Sequence, residues 1–100
     1  MNELRYSKTY LSSGRLMSIS IVLPAKNESD GLQRFLPALR ARHPMAEIIV
    51  VDDGSSDDTG EQAQRAGAVV LSNPYSMGNG ASIKRGARSA KGEILVFMDA

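Results

Sequence analysis

The sequence has no cysteine. That excludes disulfides and thiolate-bound zinc, and it tilts the reading toward an intracellular, cytoplasmic chain. Charge of one sign is also lacking: 12 Lys and Arg stand against 11 Asp and Glu, a formal net charge of +1. The basic residues are scattered, with no run resembling a nucleic-acid footprint, so no nucleic-acid partner is expected. No stretch approaches the roughly 20 apolar residues of a membrane helix; the longest are strand-sized. Residues Met1 to Leu16 are mostly polar and lack the apolar centre of a signal peptide. They read as a flexible lead-in, with room for a short piece of structure around Tyr6 to Leu11.

Two phosphate-binding signatures are missing as well. No Gly-x-Gly-x-x-Gly turn follows the first apolar run, and no Walker lysine loop occurs. Dinucleotide binding and P-loop chemistry are therefore not expected.

What remains is a chain of 100 residues with a hydrophobic share of 42%, which suits one compact domain over residues 17–100. Met17 to Leu23 (MSISIVL) is rich in β-branched residues and meets Pro24, the pattern of a strand that ends there. Gly31 to Arg42 places Leu32, Phe35, Leu36 and Leu39 at helical spacing. Pro37 should kink that helix or lie near its start. Glu47 to Val51 is an almost wholly apolar strand, as expected when both faces are covered. Asp57 to Ala66 reads as a helix capped by Ser56 or Asp57 and stopped by Gly67. Ala68 to Leu71 follows as a strand, Asn79 to Ala90 as a helix, and Glu93 to Met98 as a last strand. This alternation demands an α/β fold with parallel strands, right-handed crossovers and helices on both faces.

Ligands of such sheets bind beyond the carboxyl ends of the strands, where strand order reverses. The loops leaving those ends are Pro24 to Glu28, Asp52 to Ser56 and Asn73 to Gly80, with Asp99 after the last strand. Loops are polar in any protein, which accounts for part of this clustering. Asp52 and Asp53 suit a turn that caps the next helix, or an acceptor for a ligand's N–H groups. Glu28 suits either the first turn of a helix or a ligand contact. Ser55, Ser56, Asp57 and Asp58 read as capping residues. Gly78-Asn79-Gly80 opens a helix whose N-terminus favours an anion, with Lys84 one turn in; a flexible turn and a solvated lysine is the plainer alternative. Arg85 and Arg88 read as a solvated face. His43 and the five methionines need no ligand role.

Four segments together resemble the N-terminal half of glycosyltransferase family 2, a large inverting family with the GT-A fold. They are Val22 to Glu28 (VLPAKNE), Ile48 to Thr59 (IIVVDDGSSDDT), Gly78 to Gly86 (GNGASIKRG) and Ala90 to Ala100 (AKGEILVFMDA). The resemblance covers about Ser18 to Ala100, in the family's order and spacing, and is nearest to the branch that glycosylates polyprenyl phosphates. It implies a Rossmann-like sheet of strand order 3-2-1-4, counted from the strand at Met17. It implies a nucleotide-sugar-dependent enzyme using UDP- or GDP-sugar, with a lipid-linked or glycan acceptor, at the cytoplasmic membrane face.

By the same resemblance, Asp53 accepts the N–H of the base and Asp52 holds the loop or meets the ribose. Pro24 and Ala25 line the base, Glu28 approaches base or ribose, and Gly78, Asn79, Gly80 and Lys84 take the diphosphate. Many relatives carry an aromatic residue where Lys26 stands; a lysine could only lay its stem along the base. A lysine is frequent at the place of Asn79. Asp99 matches the first carboxylate of the family's Asp-x-Asp motif, which holds Mg²⁺ or Mn²⁺; the second would be the next residue. The catalytic base and acceptor site belong to the family's C-terminal half, so no catalytic residue is expected within this chain, and the chain alone is expected to bind nucleotide weakly without turnover. The last strand, apolar on both faces, is expected at a sheet edge and invites self-association. A sugar-nucleotidyltransferase would need a glycine-rich basic loop after the first strand, where PAKNE stands. A non-catalytic module binding through its sheet edge is the remaining alternative.

Overall fold

The computed structural model describes residues 8–10 and 16–99. The reading of positions 1–16 as a lead-in lies largely outside these residues. Within that stretch β1 (Lys8–Tyr10) pairs antiparallel with the start of β2 (Leu16–Ala25). The chain continues through α1 (Ser29–Arg42), β3 (Glu47–Asp53), α2 (Thr59–Arg65), β4 (Val69–Asn73), α3 (Asn79–Ser89) and β5 (Ile94–Phe97). β2 pairs parallel with both β3 and β5, and β3 with β4. The parallel order β4-β3-β2-β5 is the expected 3-2-1-4.

The sheet is buried on both faces where its central strands run. Val22, Leu23, Ile49, Val50 and Val51 are wholly inaccessible, which is why β3 reads as an unbroken apolar run. Ile21, Leu23, Ile48 and Val50 meet Leu32, Leu36 and Leu39 of α1 and Ala63 of α2 on one face. Val22, Ile49 and Val51 form a smaller cluster on the other, where α3 lies with Gly86 against Val22 and Val51. Burying side chains of this kind contributes about 1.5–3 kcal/mol each.

Two prolines sit further inside elements than the sequence suggests. β2 runs on through Pro24 to Ala25, in register with Val51 and Asp52. A proline is tolerated in this central strand because β5 pairs with β2 only as far as Val22. The backbone of Val22 faces β5, accepting from the Met98 N–H at 3.0 Å; position 24 faces the same way, where the next rung needs an N–H that proline lacks, so the β2–β5 ladder stops at Val22. Pro37 lies inside α1, which begins two residues earlier than its apolar spacing indicates. Gln33 and Pro37 are both exposed, so the Gln33 carbonyl left without a donor faces water.

At the amino ends of the strands, side chains tie the turns down. Ser20 donates to Glu47 Oε1 at 2.7 Å, the Lys91 N–H donates to the same oxygen at 2.8 Å, and the Gly92 N–H donates to Ser20 Oγ at 2.8 Å. Arg40 Nη1 donates to the carbonyls of His43, Pro44 and Ala46, closing the end of α1. These ties leave the carboxyl ends as the side where polar groups remain for other work.

Candidate functional site

The loops at the carboxyl ends of β2 and β3 are locked together by Asn27. Its φ of 52° is the left-handed conformation that asparagine tolerates better than other side chains. So turned, its side-chain oxygen accepts from the Ser56 N–H at 2.9 Å, the Ser56 hydroxyl at 3.2 Å and the Asp57 N–H at 3.3 Å. Its own N–H donates to Ser55 Oγ at 2.9 Å, and the Glu28 N–H donates to Thr59 Oγ1 at 3.0 Å. Asp57 Oδ1 accepts from the Thr59 N–H at 3.0 Å and from its hydroxyl. Asp58 accepts from Ser29 and, at 2.9 Å, from Gln62. These bonds, chiefly the Thr59 hydroxyl for Asp57 and the Ser29 hydroxyl for Asp58, lower both carboxyl pKa values. Asp58 occupies the N-cap position of α2 without a side-chain cap bond. The expected capping by Asp57 takes the form of its bond to Thr59, while Ser56 serves Asn27.

The two adjacent aspartates at the end of β3 point to opposite faces of the sheet, as strand alternation requires. Asp52 is half-buried on the α2 side. Its Oδ1 accepts from the Ser55 N–H at 3.1 Å, and α2 passes so close that a Cβ at Gly60 would stand 2.9 Å from Oδ2. Asp53 is 5% exposed on the α3 side. Its Oδ1 accepts from Met77 N at 2.7 Å and Asn73 Nδ2 at 2.8 Å; its Oδ2 accepts from Gly78 N at 3.0 Å and the Ser76 hydroxyl at 3.3 Å. Four donors fill the roughly four acceptor positions of a carboxylate. They hold it ionised, with the pKa lowered to about 2, the Met77 N–H contributing most and Asn73 next. Gly54, at φ +71°, lets the chain pass beneath this loop: a Cβ there would stand 2.6 Å from Ser76 N.

Asn73 extends the network. It is buried, donates also to the buried Ser82 hydroxyl at 3.1 Å, and accepts from Arg85 Nη1 at 2.7 Å. Asp53, Asn73 and Ser82 thus join β3, β4 and α3 at one point. Gly78, at φ +97°, takes the N-cap position of α3. The N–H groups of Asn79, Gly80 and Ala81 then head the helix without intrahelical partners.

The other expected residues fall as follows. Pro24 and Ala25 are buried at the end of β2, Lys26 is exposed beside them, and Glu28 is half-buried. Asp99 is exposed just past the end of β5. Glu28 lines a cleft of about 380 Å³ with Asn27, Asp30, Asp57 and Asp58. Asp52 lines another, of about 500 Å³, with Asp57, Asp58 and Glu61. Gly80 and Lys84 line a third, beside β4. Lys84 thus shares that cleft with Gly80 and Ala81 at the head of α3, and with Arg85 and Arg88. Arg85 is exposed, as read, but it also donates to the Ser72 carbonyl at 2.6 Å. Among the described residues no three or more His, Cys, Asp or Glu stand together as a metal site, so Asp99 alone does not fit a dication.

Comparison with known proteins decides the family. The model of "Glycosyl transferase family 2" matches residues 20–100. The chain belongs to glycosyl transferase family 2. Among curated family members, a 4,4'-diaponeurosporenoate glycosyltransferase of Staphylococcus haemolyticus is 34% identical over 97% of this chain and 29% of its own length. A glucosyl-3-phosphoglycerate synthase of Mycolicibacterium paratuberculosis is 35% identical over 82% of this chain and 28% of its own. An undecaprenyl-phosphate 4-deoxy-4-formamido-L-arabinose transferase of Pseudomonas savastanoi is 35% identical over 82% and 27%. This chain thus spans under a third of these relatives, whose names carry different acceptors. The crystal structure of Mycobacterium tuberculosis glucosyl-3-phosphoglycerate synthase with Mn²⁺, UDP and glucosyl-3-phosphoglycerate superposes with TM-score 0.70 at 34% identity, over 83% of this chain and 33% of that one. The sheet order and flanking helices are those of the N-terminal half of a GT-A fold. No helix of the described residues is long and apolar enough to cross a membrane.

Three positions that sequence reasoning left without a site role are Asn27, Asn73 and Ser82. Asn27 stands inside the PAKNE segment, and an asparagine directly after a strand is a signal for a left-handed turn. Asn73 and Ser82 gave no local signal, because their partners lie on other elements.

Proposed function

We propose that this chain is the nucleotide-binding portion of an inverting glycosyltransferase that uses a UDP- or GDP-sugar. The supporting observation is that the loops after β2 and β3 and the head of α3 are bonded into one edge, through Asn27 and Asp53. A nucleotide there finds carboxylates for its N–H and O–H groups at Asp52, Asp53 and Glu28, and partner-free helix N–H groups for its diphosphate at Asn79, Gly80 and Ala81. The base N–H reaches Asp53 by replacing the Ser76 hydroxyl, the longest of its four bonds at 3.3 Å and the one whose donor returns to water without loss. Pro24 and Ala25 form the floor beneath Lys26, whose stem lies along the base. Gly78 keeps its bond to Asp53 and sets the angle of α3.

In the longer enzyme, the acceptor's hydroxyl or phosphate attacks the anomeric carbon in line and the nucleoside diphosphate leaves, inverting that centre. Asp99 would be one ligand of a Mg²⁺ or Mn²⁺ completed by carboxylates outside the described residues, and the ion would supply positive charge for the leaving diphosphate. The acceptor is lipid-linked or a glycan, and the enzyme works at the cytoplasmic membrane face. The chain of 100 residues binds nucleotide weakly and transfers no sugar; measurable transfer by the purified chain overturns that part. It also self-associates along β5, where Leu95 is 38% and Phe97 48% exposed.

The deciding test is an NMR titration of the labelled chain with UDP and GDP, with and without Mg²⁺. Shifts at Lys26 to Glu28, Asp52 to Gly54 and Gly78 to Gly80 are expected. Asp53→Asn should remove the base preference while Asp52→Asn weakens binding without erasing it. Absence of shifts at millimolar nucleotide overturns the reading.

A further inference from the structure

The four donors on Asp53 differ in what it takes to move them. Two converge on Oδ1: the Met77 N–H at 2.7 Å and the Asn73 amide at 2.8 Å. Two reach Oδ2: the Gly78 N–H at 3.0 Å and the Ser76 hydroxyl at 3.3 Å. The Met77 and Gly78 donors belong to the backbone, so neither leaves unless the chain shifts. That chain is packed down on Gly54, where an added Cβ would stand 2.6 Å from Ser76 N and 2.7 Å from the Tyr75 carbonyl carbon. Asn73 is 6% exposed, its amide shared with Ser82 and its oxygen held by Arg85. Turning it away would strand those partners. Ser76 alone donates from an exposed side chain, which one rotation about χ1 releases into water. Oδ1 is therefore closed, and Oδ2 has one position to give.

We propose, resting on the nucleotide reading above, that Asp53 selects the base by donor count: it takes a base offering a single ring N–H, as uracil does, over guanine. Uracil presents its N3–H between two carbonyls, one donor for the one open position on Oδ2. Guanine presents its N1–H beside an exocyclic amine, two parallel donors that match a carboxylate only when both oxygens are open. Bound in that way, guanine displaces the Met77 N–H or the Asn73 amide from Oδ1. Bound through N1–H alone, it leaves its amine without a partner against the loop. Cytosine brings a lone pair at N3 toward the carboxylate and no donor. Asn73 and Met77 thus determine specificity through the oxygen they occupy, without touching the nucleotide.

The labelled chain is titrated with UDP, CDP, GDP and IDP. UDP should bind about tenfold more tightly than GDP or CDP. IDP keeps the purine ring and its N1–H but lacks the exocyclic amine. It should bind about fivefold more tightly than GDP, a difference that ring size cannot produce. Ser76→Ala should bind UDP at least as tightly as the unaltered chain, because the base no longer competes with a hydroxyl. Asn73→Ala opens a position on Oδ1 and should bring GDP to within about twofold of UDP; a merely structural role for Asn73 would weaken all four nucleotides alike. Should that variant fail to fold, the comparison of IDP with GDP on the unaltered chain decides. GDP binding as tightly as UDP, IDP matching GDP, UDP weakened by Ser76→Ala, or an unchanged ratio in folded Asn73→Ala each overturn the selection while leaving the nucleotide reading intact. Binding of none of the four overturns that reading, and the selection with it.

Discussion

Asp53 keeps its charge while nearly buried because four donors converge on it from the end of β4 and the loop after it, twenty to twenty-five residues further along the chain. Its folded pKa, about 2, lies below its ordinary 3.8. Its contribution to stability is therefore complete above about pH 4 and is lost as pH falls toward 2. Asp57 and Asp58 are lowered too and act with the same sign. His43 is lowered from 6.5 by burial and then by Arg42, and its Nδ1 is buried without a partner. The fold favours its neutral form, so protonation as pH falls below 6.5 also opposes folding. The thermal midpoint should decline gently from pH 7 to 5 and steeply below 4. Asp53→Ala should cost about 1–3 kcal/mol at neutral pH and flatten the steep part. An unchanged acid profile in that variant would assign the loss elsewhere. Place after an apolar strand marked Asp52 and Asp53 only as a pair, and the family resemblance alone singled out Asp53. Its partners were not legible, because Asn73, Ser76 and Met77 show no pattern until the fold brings them over it.

At the scale of elements, the alternation of strands and helices was legible because burial imposes periodicity. The boundaries moved where side chains, not periodicity, set them: Asp57 and Thr59 fix the start of α2, and unpaired backbone lets Pro24 stay within β2. The seat of α3 on the sheet is set by Gly86, whose added Cβ would collide with Val22 Cγ1 and stand 3.2 Å from Val51 Cγ2. Gly86→Ala should destabilise by about 1–3 kcal/mol, through overpacking against β-branched side chains that cannot turn away. Gly80→Ala, with nothing within 4 Å of the new Cβ, should leave stability equal or raise it by up to about 1 kcal/mol. Chemical denaturation of the two variants checks the contrast. Equal losses would show that α3 tolerates displacement from the sheet.

Across the whole molecule, acidic clefts flank α2 and a basic one flanks α3, so a net charge of +1 conceals a divided surface. Composition could not show that division; it follows from which helix covers which face. The order β4-β3-β2-β5 was legible only through family resemblance, since pattern alone does not order parallel strands. The pairing of β1 with β2 rests on backbone bonds and had no apolar signature to announce it. β5 pairs with β2 alone among the described strands, with Leu95 and Phe97 exposed. Sedimentation should show a concentration-dependent dimer or larger species, and Phe97→Lys should shift it toward monomer. A wild-type chain that stays monomeric at high concentration removes that expectation.

The loop tied to Asp53 carries Tyr75, and the chain has no tryptophan and three tyrosines. Its ultraviolet emission therefore comes from phenol rings alone, and Tyr75 sits where the nucleotide edge and the basic cleft share a boundary. Release of Ser76 from Asp53 changes the polarity around that phenol. The protein thus carries an unlabelled optical reporter beside its proposed nucleotide edge, readable in a cuvette.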